Sequence, residues 1–352
     1  MWVAIKKWKW ILSALLCFLL LYILPSETVE QYYSRGIFLH IRHLLDVTFG
    51  KLPFPSYYLF LAFLAIAALK WIAHFFKEKP GPFLHRLFKL ISFTGFMTTV
   101  FFIIWGFNYG RYPLSKSLGL IPKPLTKNEL EDELKLTAEH LAQIRNKIHN
   151  DTSEIPQIAF INTIEEKCTN SLNVVLTDFG FPTSRVRGRF VQDDMFLLFN
   201  IGGQYLPFVG EANVDDAVYC SKKPFYLIHE MAHGNGFTSE SDCNFLAYVS
   251  CIYSQSLPLQ YSGELNYLMY LLEDYRDRDE LAAAQFGTTM PTIIQKDLKD
   301  IRDYYLKHTF KTAIIGEMIN NIYLKTLRVQ EGTKSYNKMI LLVHAWKQKN
   351  QF

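Results

Sequence analysis

The amino-acid sequence predicts a mostly helical α+β protein in which three N-terminal transmembrane helices precede a soluble domain. Three observations predict it. Three long apolar runs stand before residue 110, and a turn-rich stretch with three prolines, "YGRYPLSKSLGLIPKPL", follows them. Beyond it, amphipathic helical patterns surround one short region of strand-like alternation. The 352 residues are enough for two such parts. Apolar residues make up 49% of the chain, an ordinary share, so the signal is their crowding into the first third.

The first run, "WKWILSALLCFLLLYIL", follows Lys6 and Lys7 and gives a span over about 8–24. The second starts at Tyr57 (about 57–76) and the third at Leu87 (about 87–107). Each approaches the ~20 residues a helix needs to cross hydrocarbon. The first run ends in "YILPSETVE", which lacks a small-x-small cleavage pattern, so an uncleaved anchor is expected. Lys6, Lys7 and Lys9, with Lys77, Lys79, Arg86 and Lys89 between the second and third runs, are denser than Arg35, Arg42 and Lys51 in the first connection. The denser basic segments belong inside, which places everything after Tyr109 outside: in a bacterium, a multi-pass inner-membrane protein with a periplasmic domain. "IFLHIRHLLDVTF" in the first connection has near-helical apolar spacing and is expected to lie along the membrane surface or to pack on the soluble domain.

The division expected is a membrane region over 1–110, a linker over 111–127 and a soluble domain over 128–352. In the last, "KNELEDELKLTAEHLAQIRNKIHN" reads as an amphipathic helix, Arg185 to Asn213 as strands or extended segments, and the chain from Phe225 as mainly helical. A net charge of +4 without a basic, aromatic-interleaved stripe argues against a nucleic-acid partner. Five cysteines (Cys17, Cys168, Cys220, Cys243, Cys251) form no CxxC pair, so neither a zinc ribbon nor a dense disulfide framework is expected. Cys168 and Cys220 could pair in an oxidising compartment.

"FYLIHEMAHGNGF" carries the chemistry. His229, Glu230 and His233 fit the HExxH pattern; positions i and i+4 share a helical face, so both imidazoles can reach one ion. Glu230, beside the first ligand, is placed to accept a proton from water. "GNG" at Gly234 to Gly236 ends the helix. A catalytic zinc site needs a third protein ligand and an open position. In "SESDCNFLAYVSC", Glu240 shares a face with Asn244, which could steady its carboxylate. Asp242, on a different face, is the alternative ligand. The third histidine of metzincins would fall on Ser239, which disfavours that class. Cys243 and Cys251 are expected to pack as small apolar residues.

These segments carry a resemblance. With "YYSRGIFLHIRHLL", "WGFNYGRYPL", "GGQYLPFVGEANVD", "HEMAHGNGFTSESDCNFLAYVSC" and "YLKTLRVQEGTKSYNKMILLVHAW", the chain resembles the bacterial domain of unknown function 3810 family, a group described as membrane zinc metallopeptidases. The resemblance implies His229, His233 and Glu240 as ligands of one Zn2+ ion and Glu230 as the base. Ser241, Asp242 and Cys243 stand where the family pattern reads acidic, acidic, alanine; the departures, at Ser241 and Cys243, leave Glu240 in place.

The function expected is a membrane-anchored, gluzincin-like zinc metallopeptidase with a zincin-like domain, whose partners are a peptide or protein substrate and the lipid bilayer. "GGQYLPFVGEANVD" is either an edge strand that aligns an extended peptide or a structural hairpin. Tyr336 is a candidate oxyanion donor. The competing expectation is a non-catalytic sensor or scaffold with a closed structural zinc site, for which Glu211 could supply a fourth ligand.

Overall fold

The computed structural model describes residues 2–77, 83–151, 153–307 and 338–350. The chain forms two compact units: Met1–Tyr112 with Leu206–Glu211, and Pro113–Tyr205 with Ala212–Phe352.

In the first unit the three apolar runs are helices, Trp2–Ile23, Tyr57–Lys77 and Phe83–Ile104. Arg86–Ile104 is long and apolar enough to cross a membrane. The first helix passes the same test only together with Ser26–Thr48, from which it is bent by 111°. The cause is Pro25, which cannot continue a helix and holds extended backbone at the break. Tyr57–Ala73 is apolar but shorter. Where the sequence predicts three spans, one helix, or two if the bent pair is one span, is long and apolar enough among the described residues, and the third run ends at Ile104 because Gly106–Gly110 turns into a 3-10 helix. Trp8 meets Phe88, Trp10 meets Phe96 and Phe18 meets Phe102, each edge-to-face with centroids 4.8 Å apart. Contacts that climb both helices together make them parallel neighbours.

The first connection is helical as its spacing predicts, with a π-helical stretch, Val29–Ile37, leading into Phe38–Thr48. The wider π turn stacks residues five apart, and Arg35 accordingly donates to Glu30 at 2.7 Å. Arg111 donates to the same carboxylate through Nε (2.7 Å) and Nη2 (3.1 Å). Arg42 donates to the Gly210 carbonyl at 2.9 Å, and the Glu211 carboxylate accepts from the backbone N–H of Ser56 and of Tyr57.

The second unit is helical around a small sheet. Lys127–Ile148 starts in a capping box between Thr126 and Glu129, which satisfies two free N–H groups at the helix end. Its apolar stripe (Leu130, Leu134, Leu141) packs on the long helix Leu257–Arg278. The buried Arg145 pairs with Asp297 at 2.8 Å, and the Tyr261 hydroxyl donates to the same oxygen at 2.6 Å. Removing either charge would strand the other away from water, which typically costs about 3–5 kcal/mol.

Strands β1 (Arg187–Val191), β2 (Gly203–Leu206) and β3 (Glu211–Asp215) pair in the order β1-β3-β2, in the region where the sequence predicts extended segments. Strands β2 and β3 are joined by a tight turn in which Gly210 N–H donates to Leu206 at 2.8 Å. "GGQYLPFVGEANVD" is thus a hairpin whose first strand is also a sheet edge. Asp215 accepts from the N–H groups of Asp194, Phe196, Leu197 and Ala217, which folds the preceding loop back onto β3.

Candidate metal centre

Two consecutive helices build the site. Lys223–Gly234, with Pro224 in its first turn, carries His229, Glu230 and His233, all buried. It ends as "GNG" predicts: Gly236 takes φ +84°, a left-handed conformation that costs glycine nothing. The chain reverses, and Ser239 caps the next helix, Glu240–Tyr253, by accepting from Asp242 N–H at 3.3 Å. The residue in the metzincin histidine position is thus a cap. This second helix lies deep in the unit. Ser241 and every residue from Cys243 to Cys251 are buried, because four other helices of the unit pack around it.

Nε2 of His229 lies 3.1 Å from Nε2 of His233, and Oε2 of Glu240 lies 3.1 Å and 3.6 Å from them. The three donor atoms are all within 4.8 Å of one another. Both imidazoles are turned from behind. Nδ1–H of His229 donates to Asn244 Oδ1 at 2.7 Å, and Nδ1–H of His233 donates to the Phe237 carbonyl at 2.8 Å. Fixing the proton on Nδ1 leaves the Nε2 lone pairs facing the centre. Two imidazole nitrogens and one carboxylate oxygen are the protein donors that a four-coordinate catalytic zinc takes, so the residues present fit the ion.

Electrostatics favour a cation here. Burial would raise the Glu240 carboxyl, but the two histidines outweigh it and hold Glu240 well below the ordinary carboxylate range. Burial works against an imidazolium at His233, yet Cys243 and Glu240 lift its proton affinity well above the usual histidine range. A proton thus occupies the charge balance that a metal ion would satisfy. Cys243 Sγ sits 3.3 Å from His233 Nδ1 and 3.4 Å from the Phe237 carbonyl. Burial pushes its thiol up to about 11.

Glu230 is close to both histidines and outside the donor cluster. Its carboxylate accepts from the Tyr205 backbone N–H, an outward group of the edge strand β2. A Cβ on Gly203 would lie 2.9 Å from Glu230 Cγ and Oε1, so only glycine lets the strand settle this close. Burial pushes the Glu230 carboxyl up, against the pull of His229 and His233. Buried Asn244 keeps Nδ2 without a hydrogen bond of ordinary geometry, and its neighbour there is the Tyr270 phenol. Burial first, then Tyr226 and Glu240, hold that phenol well above the usual tyrosine range, so it carries its proton at neutral pH.

Of the residues singled out in the sequence, His229, His233, Glu240, Glu230 and Asn244 meet here. Asp242, in the first turn of its helix, stands outside the cluster, and Glu211 is engaged by Ser56 and Tyr57 instead. Cys168 and Cys220 are both buried free thiols; the Cys168 Sγ faces the Pro224 carbonyl rather than a second sulfur. Tyr336 lies outside the described residues. Tyr270, Gly203 and the Tyr205 N–H are site features that sequence reasoning missed. Only the paired glycines ahead of β2 gave a signal, as a place where another group approaches backbone closely.

The fold and the site define a helical α+β protein with a buried His-His-Glu cluster split between consecutive helices. The chain belongs to the family described as protein of unknown function (DUF3810), whose model matches residues 33–344. No curated protein and no solved structure matches it.

Proposed function

We propose that this protein is a membrane-anchored, zinc-dependent metallopeptidase of the gluzincin type. The observation that carries the reading is the convergence of His229, His233 and Glu240 on one point, with the buried Glu230 beside them and not among them. When bound, zinc supplies Lewis acidity and a water whose pKa falls toward ~7. Glu230 would take a proton from the attacking water and return it to the leaving amine; its burial favours a carboxyl that can be reprotonated. The Tyr205 N–H holds the carboxylate in place. The Tyr270 hydroxyl, protonated and next to Asn244 and Glu240, is positioned to donate to the carbonyl oxygen. Strand β2, at the sheet edge beside Glu230, offers main-chain groups to an extended peptide. A closed structural site would need a fourth protein donor, and the cluster among the described residues has three.

The membrane part of the proposal is three crossings in a bacterial inner membrane, with the second unit on the periplasmic side. It is supported by the parallel first and third helices, since a chain crossing twice in one direction must return between them, and Tyr57–Lys77 is the helix available. The density of lysine and arginine sets the direction.

The test of the chemistry uses two variants and a peptide library. Glu230→Gln keeps zinc and loses about 10²–10⁴-fold in rate, the usual share of general-base catalysis. His233→Ala loses metal and hydrolysis together. Cleavage that persists unchanged in Glu230→Gln would reject the mechanism. A zinc-replete wild-type protein that cleaves nothing in the library would leave the sensor reading.

A further inference from the structure

A groove of about 840 Å³ is lined by Lys222 and Tyr226 and by the helices Leu257–Arg278, Glu280–Thr289 and Thr292–Lys307. Four basic side chains line it, Lys222, Arg276, Lys299 and Arg302, against the acidic Glu273 and Glu280. Lys222 is the unusual one. It is only 8% exposed, and its ammonium lies 5.3 Å and 5.5 Å from the ring centres of Tyr226 and Tyr305. No carboxylate pairs with it among the described residues, whereas the next residue, Lys223, is paired with Asp216 at 2.5 Å. Its stem is buried while the ammonium keeps solvent contact between the two rings. A cation so placed on a groove wall is half of an ion pair.

The motif helix joins the groove wall to the metal centre. Lys222, Tyr226, His229 and His233 recur every three or four residues and therefore share one face. At the other wall, Tyr270 lines the groove while neighbouring Asn244 and Glu240. Seven residues of helix separate Lys222 from His229, a rise of about 10 Å. An extended peptide covers that distance with about three residues.

We propose that this groove receives the carboxylate-bearing side of a peptide substrate, as an acidic side chain or a free C-terminus about two to four residues from the scissile bond. Lys222 pairs with the carboxylate, and Lys299 and Arg302 on the exposed rim draw it in. This rests on the metallopeptidase reading, and binding and cleavage test the two separately.

The probes are four fluorescein-labelled decapeptides of alanine, serine and leucine: one glutamate or glutamine at a central position, each with a free or amidated C-terminus. Binding is followed by anisotropy on the full chain in detergent, zinc-equilibrated and carrying Glu230→Gln so that the peptide stays intact; cleavage is followed with the wild type. Carboxylate-bearing peptides should bind at least tenfold tighter than the neutral amide, and the glutamate and free-terminus arms show which carboxylate is read. Lys222→Met should abolish the preference with zinc content unchanged. If that variant does not fold, Lys299→Glu with Arg302→Glu, at exposed positions, should weaken the preference severalfold. Equal affinity for all four peptides, or a preference indifferent to these substitutions, overturns the proposal. Carboxylate-selective binding without cleavage would keep the groove and reject the peptidase; cleavage without selectivity would do the reverse.

Discussion

Two imidazoles one helical turn apart can share a metal ion only if something else sets their rotation. Here Asn244 and the Phe237 carbonyl each accept an Nδ1–H, so neither ring relies on the metal to orient it. Asn244 occupies the position that the i, i+4 rule marks as the neighbour of Glu240, yet its carboxamide is spent on His229 rather than on the glutamate. The sequence expectation that it steadies the Glu240 carboxylate therefore shifts by one residue, from the acid to the imidazole. This much of the site was legible because helical spacing is a local property: His229, His233, Glu240 and Asn244 lie within sixteen residues joined by one glycine-rich turn. Tyr270 was not legible. It reaches the site from a helix a full turn-and-return later, and nothing in its neighbours "YLMYLLEDY" distinguishes it from a core tyrosine.

At the scale of elements, the contact between strand β2 and the motif helix decides where the base stands. Gly203→Ala places a methyl 2.9 Å from Glu230 Cγ and Oε1 and equally close to the Asn213 carbonyl, which is backbone and cannot give way. The carboxylate must then move. Zinc content should stay at the wild-type level while kcat/KM falls about 10²-fold, the usual consequence of a displacement near 1 Å. A Gly203→Ala enzyme with full activity would show that Glu230 is not held by the strand. Alternation in "GGQYLPFVGEANVD" fits an edge strand and a hairpin equally well, and the structure makes β2 both. The burial of Cys243 to Cys251 on every side of their helix was equally out of reach, since it depends on which helices arrive from elsewhere in the chain. The π-helical turn at Val29–Ile37 left only one trace, an acid and a base five residues apart.

For the whole molecule, run length and charge gave three spans, while among the described residues one helix is long and apolar enough to cross by itself, or two if the pair bent at Pro25 is one span. The proposed arrangement of three crossings has a direct consequence: reporter fusions placed after Tyr109 should be active as periplasmic reporters and silent as cytoplasmic ones. Cytoplasmic activity there would reverse the topology. The central claim is that His229, His233 and Glu240, and not Asp242, hold one zinc ion that serves catalysis. The measurement that meets it most directly is the zinc content of the purified full chain after equilibration with zinc and removal of excess, for wild type beside Glu240→Ala and Asp242→Asn. The account predicts one ion per chain in the wild type and in Asp242→Asn, and less than about a tenth of that in Glu240→Ala, since three protein donors fall to two. A wild-type chain that retains no zinc, or a Glu240→Ala chain that retains all of it, would contradict the account.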